Sequence, residues 1–159
     1  MVPGISVVAD KYPDIQLCTI QRRDQDTLRS WRNATREWFF CSQLITPAAQ
    51  RAWFGGYRQR RDDYLFIVEV AGACIGCMGI RLKGTWDIYN IIRGDHIYGG
   101  GGYMGAGLEM MCEFARWLRP LPIVALVLKE NPALRWYYHN RFKCDDENKG
   151  DTWARLIYS

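Results

Sequence analysis

Long apolar runs are missing from this 159-residue chain. The longest, Leu121 to Leu128, falls far short of the roughly 20 apolar residues that a bilayer-spanning helix needs. The opening residues, Met1-Val2-Pro3-Gly4, show no basic stretch followed by an apolar one, which is how a secretory signal begins. We therefore expect no membrane partner and a cytoplasmic location.

Metal-binding patterns are missing as well. The chain has two histidines and six cysteines, and the pair Cys74-x-x-Cys77 has neither a second pair nor a histidine cluster to complete a zinc site. On a strand, an offset of three would point these two thiols to opposite faces. We expect no metal site, and reduced cysteines that lie mostly in the core.

No internal repeat, low-complexity tract or Pro/Ser-rich linker divides the chain. Apolar residues make up 48% and charged residues 24%, which is typical of a globular domain, and the length is sufficient for one core. We expect a single domain over residues 1–159, in which residues 1–14 form an N-terminal extension or lead into the first strand.

The net charge of +4 is unevenly distributed. The first 61 residues contain ten Lys/Arg against five Asp/Glu, whereas the remainder contains eleven against twelve. A basic half could attract nucleic acid, an anionic small substrate or the phosphates of a cofactor. Because the arginines are scattered, they are more typical of a solvated face, and we do not expect a nucleic-acid partner.

Apolar periodicity predicts a mixed α/β domain in the order β-α-α-β-β-β-α-β-α-β. The predicted strands cover residues 15–20, 64–70, 73–82, 86–93, 123–128 and 152–158. The predicted helices cover residues 24–40, a short segment capped by Thr46 and Pro47, residues 103–118 and residues 131–140. Gly76 and Gly79 inside a strand predict a bulge or a close backbone approach.

A glycine-rich segment joins the strand over 86–93 to the helix that follows. It reads Gly99-Gly100-Gly101-Gly102-Tyr103-Met104-Gly105-Ala106-Gly107. Glycines allow positive φ, so that backbone N–H groups can converge, and the helix dipole adds to their attraction for a phosphate. The segment lacks the Gly-Lys-Ser/Thr ending of a P-loop, and the acidic residue expected after the next strand of a Rossmann unit is at best Glu130.

This segment resembles the signature of the GCN5-related N-acetyltransferases, Arg/Gln-x-x-Gly-x-Gly/Ala at a strand–helix junction. Gly99 replaces the Arg/Gln and Met104 replaces the second small residue, which Gly105, Ala106 and Gly107 could offset. Residues 131–142 are similar to a second family segment, Asn-x-x-Ala-x-x-x-Tyr-x-x-x-Gly-Phe, but are one residue shorter and have Arg141 where Gly is usual.

The resemblance implies an α/β (α+β) fold with a mixed, mostly antiparallel sheet that is splayed at the cofactor slot and flanked by helices. It implies transfer of an acetyl group from acetyl-CoA to a primary amine by direct attack, with a backbone N–H near Ile91 polarising the thioester. The residues that would bind the cofactor are Ile91, Ile92, Arg93, Gly99, Gly100, Gly101, Gly102, Tyr103, Met104, Gly105, Ala106, Asn131 and Ala133.

Two tyrosines compete for the role of general acid that the resemblance implies. Counting back from Phe142 or on from Ala133 selects Tyr137, whereas counting on from Asn131 selects Tyr138. Adjacent side chains on a helix point about 100° apart, so only one of them can face the site. The spacing favours Tyr137 and leaves Tyr138 open.

The segment from Leu28 to Asn33, with Thr46 and Trp53 downstream, resembles the subset of the family that acetylates nucleotide-linked amino sugars or the N-termini of ribosomal proteins. A small-molecule amine is the expected partner, a protein N-terminus is the alternative acceptor, and a degenerate CoA-binding module without catalysis is a third reading. A homodimer is left open. The expected acceptor contacts are Trp31, Arg32, Asn33 and Asp87, with Arg32 facing a phosphate or carboxylate; the candidate bases are Glu69, Asp87, His96 and His139.

Overall fold

The computed structural model describes residues 4–94, 102–147 and 150–159. In these ranges the chain forms eight strands and four α-helices, with short 3-10 turns at Arg22–Asp24 and Arg36–Trp38. The strands are β1 (Ser6–Val7), β2 (Ile15–Thr19), β3 (Asp63–Val70), β4 (Ala73–Lys83), β5 (Thr85–Arg93), β6 (Ile123–Leu128), β7 (Phe142–Cys144) and β8 (Trp153–Tyr158). The helices are α1 (Gln25–Ala34), α2 (Pro47–Tyr57), α3 (Tyr103–Leu118) and α4 (Leu134–His139).

All eight strands belong to one sheet in the order β1-β2-β3-β4-β5-β6-β8-β7. Every neighbouring pair is antiparallel except β5 and β6, which are parallel. One core lies between this sheet and α3, and includes Leu108 and Met111. A second core on the other face contains Leu28 of α1 and Phe54 of α2. The predicted mixed, mostly antiparallel sheet flanked by helices is confirmed.

The parallel pair, β5 and β6, separates part-way along its length. β5 pairs with β6 only over Trp86–Ile123, Asp87–Val124 and Ile88–Ala125. Beyond these pairs β5 continues to Arg93 and β6 to Leu128 without bridging each other. The strands are therefore splayed, as the resemblance implied, and a slot opens between them.

β5 contains a bulge at the start of this slot. Cys77 faces Ile92 and Gly79 faces Tyr89, so that two residues of β5 oppose Met78 alone. One of the two is Asn90, which has a φ of 49°. The prediction of a bulge or close approach is confirmed, because a Cβ at Gly79 would also overlap the Tyr89 ring.

The first predicted helix, over 24–40, was too long. α1 ends at Ala34, and Thr35 leaves the helical region with φ −117° and ψ 16°. The Asn33 carboxamide explains why the chain turns here, since it accepts a hydrogen bond from the Ile45 N–H at 2.8 Å and donates to the Ile45 carbonyl at 3.0 Å. Local periodicity could not reveal this contact, which joins residues on either side of a connecting segment.

Two strands, β1 and β7, were not predicted from the sequence. They contain two and three residues, too few to show an alternating pattern. β1 pairs with β2, so the lead-in segment adds an edge strand to the sheet. None of the helices in the described ranges is long and apolar enough to cross a bilayer.

The prediction that Cys74 and Cys77 point to opposite faces was wrong. Cys74 faces Glu69 and Cys77 faces Ile67 across the β3–β4 pair, and Glu69 and Ile67 share one face of β3. An extra residue, Ile75, shifts the alternation between the two cysteines. Cys74 is nevertheless exposed while Cys77 is buried. Among the described residues no cluster of His, Cys, Asp or Glu could hold a metal ion.

Candidate active site

A cleft of about 970 Å³ opens where β5 and β6 separate. Residues 88–93 of β5 and residues between 124 and 127 of β6 form two of its walls. Another wall comes from α1, α2 and the segment that connects them, and a fourth comes from the 131–137 segment that leads into α4. Side chains from both halves of the sequence therefore line the cleft.

A second cavity, of about 550 Å³, lies at the N-terminus of α3. Arg93, Met104 and Trp136 line both cavities, so the two adjoin and form one groove. Every predicted cofactor residue in the described ranges lines this groove. Gly99, Gly100 and Gly101 lie outside the described residues.

The start of α3 has the geometry of an anion site. Gly102 has a φ of 72°, a left-handed conformation that glycine adopts without strain, and its carbonyl accepts the Ala106 N–H at 3.0 Å. The first N–H groups of an α-helix have no acceptor within the helix, and the dipole makes this end positive. Gly102 to Ala106 line the smaller cavity, so these donors are next to the groove.

Met104 fits because the residue opposite it is glycine. Its side chain is buried, and a Cβ at Gly76 would lie 2.9 Å from the Met104 sulfur. The absence of a side chain at Gly76 on β4 therefore makes room for Met104, at a position where the family signature has a small residue. The sequence alone indicates Gly105, Ala106 and Gly107 as the offset for Met104.

The edge of β5 that faces β6 has no strand partner beyond Ile88. Backbone donors and acceptors on such an edge can pair with an extended ligand. Ile92 packs into the core around α1 and α2, whereas Ile91 is half-buried and Arg93 is exposed at the end towards α3. The strand thus runs from the larger cleft to the smaller cavity at the start of α3.

The two tyrosines of α4 lie in different environments. Tyr137 lines the cleft, is 7% exposed, and packs edge-to-face against Trp136 and Phe142 at centroid distances of 5.1 and 5.3 Å. Burial raises the pKa of its phenol, so it is protonated at neutral pH. Tyr138 is 46% exposed and does not line the groove.

Asn131 and Ala133 begin the segment that carries Tyr137. The Asn131 side-chain oxygen accepts the Ala133 N–H at 2.9 Å, which makes a turn before α4 starts at Leu134. Both residues line the cleft. Asn140 closes the helix by donating from its side chain to the Trp136 carbonyl at 2.8 Å.

Of the four expected acceptor contacts, Arg32 and Asp87 line the cleft. Trp31 lies against the backbone of Gly94, where a Cβ would overlap its ring. The amide of Asn33 is occupied by the Ile45 backbone, which gives it a structural role. Contact of these two residues with an acceptor stays a prediction that the cleft geometry does not support.

The candidate bases differ in whether they line the groove. Asp87 lines the cleft, and its Oδ1 accepts the Thr85 hydroxyl at 2.7 Å. Glu69 lies on β3 and His139 on the exposed side of α4, and neither lines the groove. His96 lies outside the described residues. Among the candidate bases in the described residues, Asp87 is thus the one that lines the cleft.

Two side chains that line the groove, Arg81 and Tyr89, were not predicted from the sequence. Arg81 faces Asp87 across the β4–β5 hairpin, and its guanidinium carbon is 4.7 Å from the Tyr89 ring centroid. The Tyr89 hydroxyl donates to the buried carboxylate of Asp63, which also accepts from Arg60 at 3.1 Å. The hairpin turn at Lys83-Gly84 was a usable signal for the Arg81–Asp87 pairing; Tyr89 and Asp63 had none.

No protein-family model and no curated protein sequence matches this chain. Solved structures do resemble it. Spermidine N-acetyltransferase from Vibrio cholerae in complex with CoA and spermine is 14% identical with a TM-score of 0.76, covering 91% of this chain and 94% of that one. Apo FdhC, a nucleotide-linked sugar GNAT, is 14% identical with a TM-score of 0.75, covering 91% and 86%.

RimL, a ribosomal L7/L12 alpha-N-protein acetyltransferase in complex with coenzyme A, is 13% identical with a TM-score of 0.71, covering 91% of this chain and 92% of that one. The TM-scores establish the shared fold, whereas identities this low leave the substrate open. The splayed eight-stranded sheet and these likenesses together show that the chain has the fold of the GCN5-related N-acetyltransferases.

Proposed function

We propose that this chain is an N-acetyltransferase that moves an acetyl group from acetyl-CoA to a primary amine of a small molecule. The observation that carries the proposal is the slot between β5 and β6, which opens directly onto the N-terminus of α3. It supplies an extended backbone edge and an anion site in one groove. An acyl donor with an extended chain joined to a pyrophosphate would bind to both of these features.

The residues of the groove fit CoA. The first turn of α3 would bind the pyrophosphate, and the free edge of β5 near Ile91 would hydrogen-bond the pantetheine amides. Glu109 lies in the smaller cavity, but Lys11 Nζ pairs with it at 2.8 Å and Tyr12 donates a second hydrogen bond. These bonds lower the pKa of Glu109 and offset its charge where a phosphate would approach.

The chemistry that we propose uses side chains of the larger cleft. The amine nitrogen attacks the thioester carbonyl carbon, the new C–N bond forms and the C–S bond breaks. The Tyr137 phenol would donate its proton to the departing sulfur, and Asp87 would bind the amine and accept its proton directly or through water. Positioning of the two reactants in one cleft supplies much of the rate.

Among small-molecule acceptors, we propose to test amino-sugar nucleotides first. One solved structure with this fold is a nucleotide-linked sugar GNAT, and Arg32 lies in the cleft where a phosphate could meet it. Peptide N-termini belong in the same screen because RimL, with the same fold, acts on a protein.

Calorimetric titration with CoA tests the donor site, and pantetheine serves as the control because it lacks the phosphates. We expect micromolar CoA binding and much weaker pantetheine binding. Transfer is then followed by mass spectrometry of the acetylated amine, since thiol-reactive dyes would also label the exposed Cys41 and Cys74. If CoA does not bind at millimolar concentration, the proposal is wrong.

A further inference from the structure

We infer that the acceptor amine also carries an acidic group, a carboxylate or a phosphate, that binds at the guanidinium of Arg32. The inference rests on the proposed function and deepens it by naming the acceptor class. It separates this site from one that takes a polyamine, whose several ammonium groups would need a surplus of carboxylates in the cleft.

Arg32 lines the cleft, and part of the hydrogen-bonding capacity of its guanidinium is unused. Its guanidinium carbon lies 3.3 Å from the centroid of the Phe39 ring, and its Nη2 donates to the Cys41 carbonyl at 3.3 Å. Its Nη1 is buried and has no hydrogen-bond partner. A guanidinium presents five N–H donors in a planar fork that matches a carboxylate or a phosphate, so a held guanidinium with a spare nitrogen suits an anion.

The charge of Arg32 is not offset by nearby acids. The ion pairs among the described residues involve other side chains. Burial lowers its pKa, and the neighbours that act in the opposite direction are the thiols of Cys41 and Cys77 rather than carboxylates. A guanidinium remains charged under such conditions, so the cleft presents an unbalanced positive charge at this point.

Arg81 is a second positively charged residue that lines the larger cleft. Its Nε is also buried without a hydrogen-bond partner, and its register partner is Asp87. Asp87 is the one Asp or Glu among the described residues lining the larger cleft, against Arg32, Arg81 and Arg93. Asp87 can take the ammonium of an acceptor, which leaves Arg32 for an acidic group of the same molecule.

Matched acceptors that differ only in the acid test this inference. With saturating acetyl-CoA, the wild-type protein is assayed on glucosamine 6-phosphate against glucosamine, on phenylalanine against phenylalaninamide, and on spermidine. We expect kcat/KM to be at least about tenfold higher for the acidic member of one pair, the range of a charged hydrogen bond. The pair that responds tells phosphate from carboxylate.

The variants Arg32→Gln and Arg32→Lys are compared with Arg51→Gln, the same charge change at an exposed position of α2 outside the groove. Arg32→Gln should remove most of the preference for the acidic member and leave the KM for acetyl-CoA unchanged. Arg32→Lys should retain part of the preference, and Arg51→Gln all of it. An equal loss on every acceptor, or a raised KM for acetyl-CoA alone, overturns the inference.

The wild-type comparison needs no variant to fold, and it separates the two proposals. Equal or better turnover of neutral amines or spermidine overturns the acidic-acceptor inference while the transferase function stands. If CoA binds but no amine is acetylated, the same pairs are titrated into the CoA-saturated protein. Selective binding of an acidic member then supports the inference although the proposed reaction fails, and equal or absent binding overturns it.

Discussion

No side chain fits at Gly76, because a Cβ there would overlap the carbonyl oxygen of Ile92. The same Cβ would press on the sulfur of Met104 at the start of α3. Gly76 thus lets β4, β5 and the N-terminal end of α3 approach one another closely. The contact is with backbone, which has less freedom to move aside than the end of a flexible side chain.

Gly76→Ala should therefore lower the free energy of unfolding by about 2–3 kcal/mol, the upper range for overpacking, and weaken CoA binding as well. Gly55→Ala is the matched control, since Gly55 lies in α2 with nothing within 4 Å of a new Cβ. At that position alanine has the higher helix propensity, so Gly55→Ala should raise the free energy of unfolding by as much as about 1 kcal/mol. Urea unfolding measures both; similar values for the two variants would contradict the tight contact.

Tyr137→Phe should reduce kcat by about 10²-fold or more, because it removes the phenol that we propose as the acid. Tyr138→Phe changes an exposed ring outside the groove and should leave kcat within about twofold. Because burial raises the pKa of Tyr137 above the ordinary tyrosine value of about 10, its proton is still held at that pH, and the activity that depends on it should fall only at higher pH. Steady-state measurement of kcat across pH tests both expectations. A larger loss of kcat in Tyr138→Phe than in Tyr137→Phe would assign the role of acid to Tyr138 instead.

Arg141 has a φ of 70°, in the left-handed region that glycine adopts freely. Its guanidinium donates to the Ser159 carbonyl at 2.7 Å and to the Tyr158 hydroxyl at 3.2 Å. Arg141→Ala loses these bonds and keeps the strain, whereas Arg141→Gly loses them and relieves it. Thermal unfolding should show the glycine variant more stable by about 1 kcal/mol.

The reverse order is expected for the same two substitutions at Arg135, which is exposed on helix α4. At Arg135 the alanine variant should be more stable than the glycine variant by about 1 kcal/mol, because glycine loses more conformational freedom in a helix. A common order at both positions would mean that the conformation of Arg141 carries no strain.

Thiol reactivity should follow burial. Cys41 and Cys74 are exposed, whereas Cys77 and Cys112 are buried, which raises the pKa of each of these two thiols to about 12. The thiolate is the reactive form, so both buried thiols should alkylate only after unfolding. Cys41 should react faster than Cys74, whose pKa is raised by partial burial and by Glu69.

Iodoacetamide labelling mapped by mass spectrometry gives these rates. Because Cys41 lines the cleft, a bound acceptor or CoA should slow its labelling and leave that of Cys74 unchanged. Native labelling of Cys77 at the rate of Cys41 would show that the cleft wall opens readily.

Much of the fold followed from local pattern. Six of the eight strands and the positions of all four helices were predicted, because periodicity over five or more residues reports which face is buried. The prediction failed where a pattern was too short, as in β1, or where a distant partner ended an element, as Ile45 does for α1 through Asn33.

The sequence alone determined that a glycine-rich strand–helix junction exists and that a tyrosine pair follows the next strand. Tertiary structure decided that Tyr137 rather than Tyr138 lines the cleft, that Gly76 makes room for Met104, and that the Nη1 of Arg32 is buried without a hydrogen-bond partner. The physical reason is distance along the chain. Local spacing determines the direction in which a side chain points from one helix or strand. The room for that side chain and its hydrogen-bond partners come from segments that meet only when the chain folds.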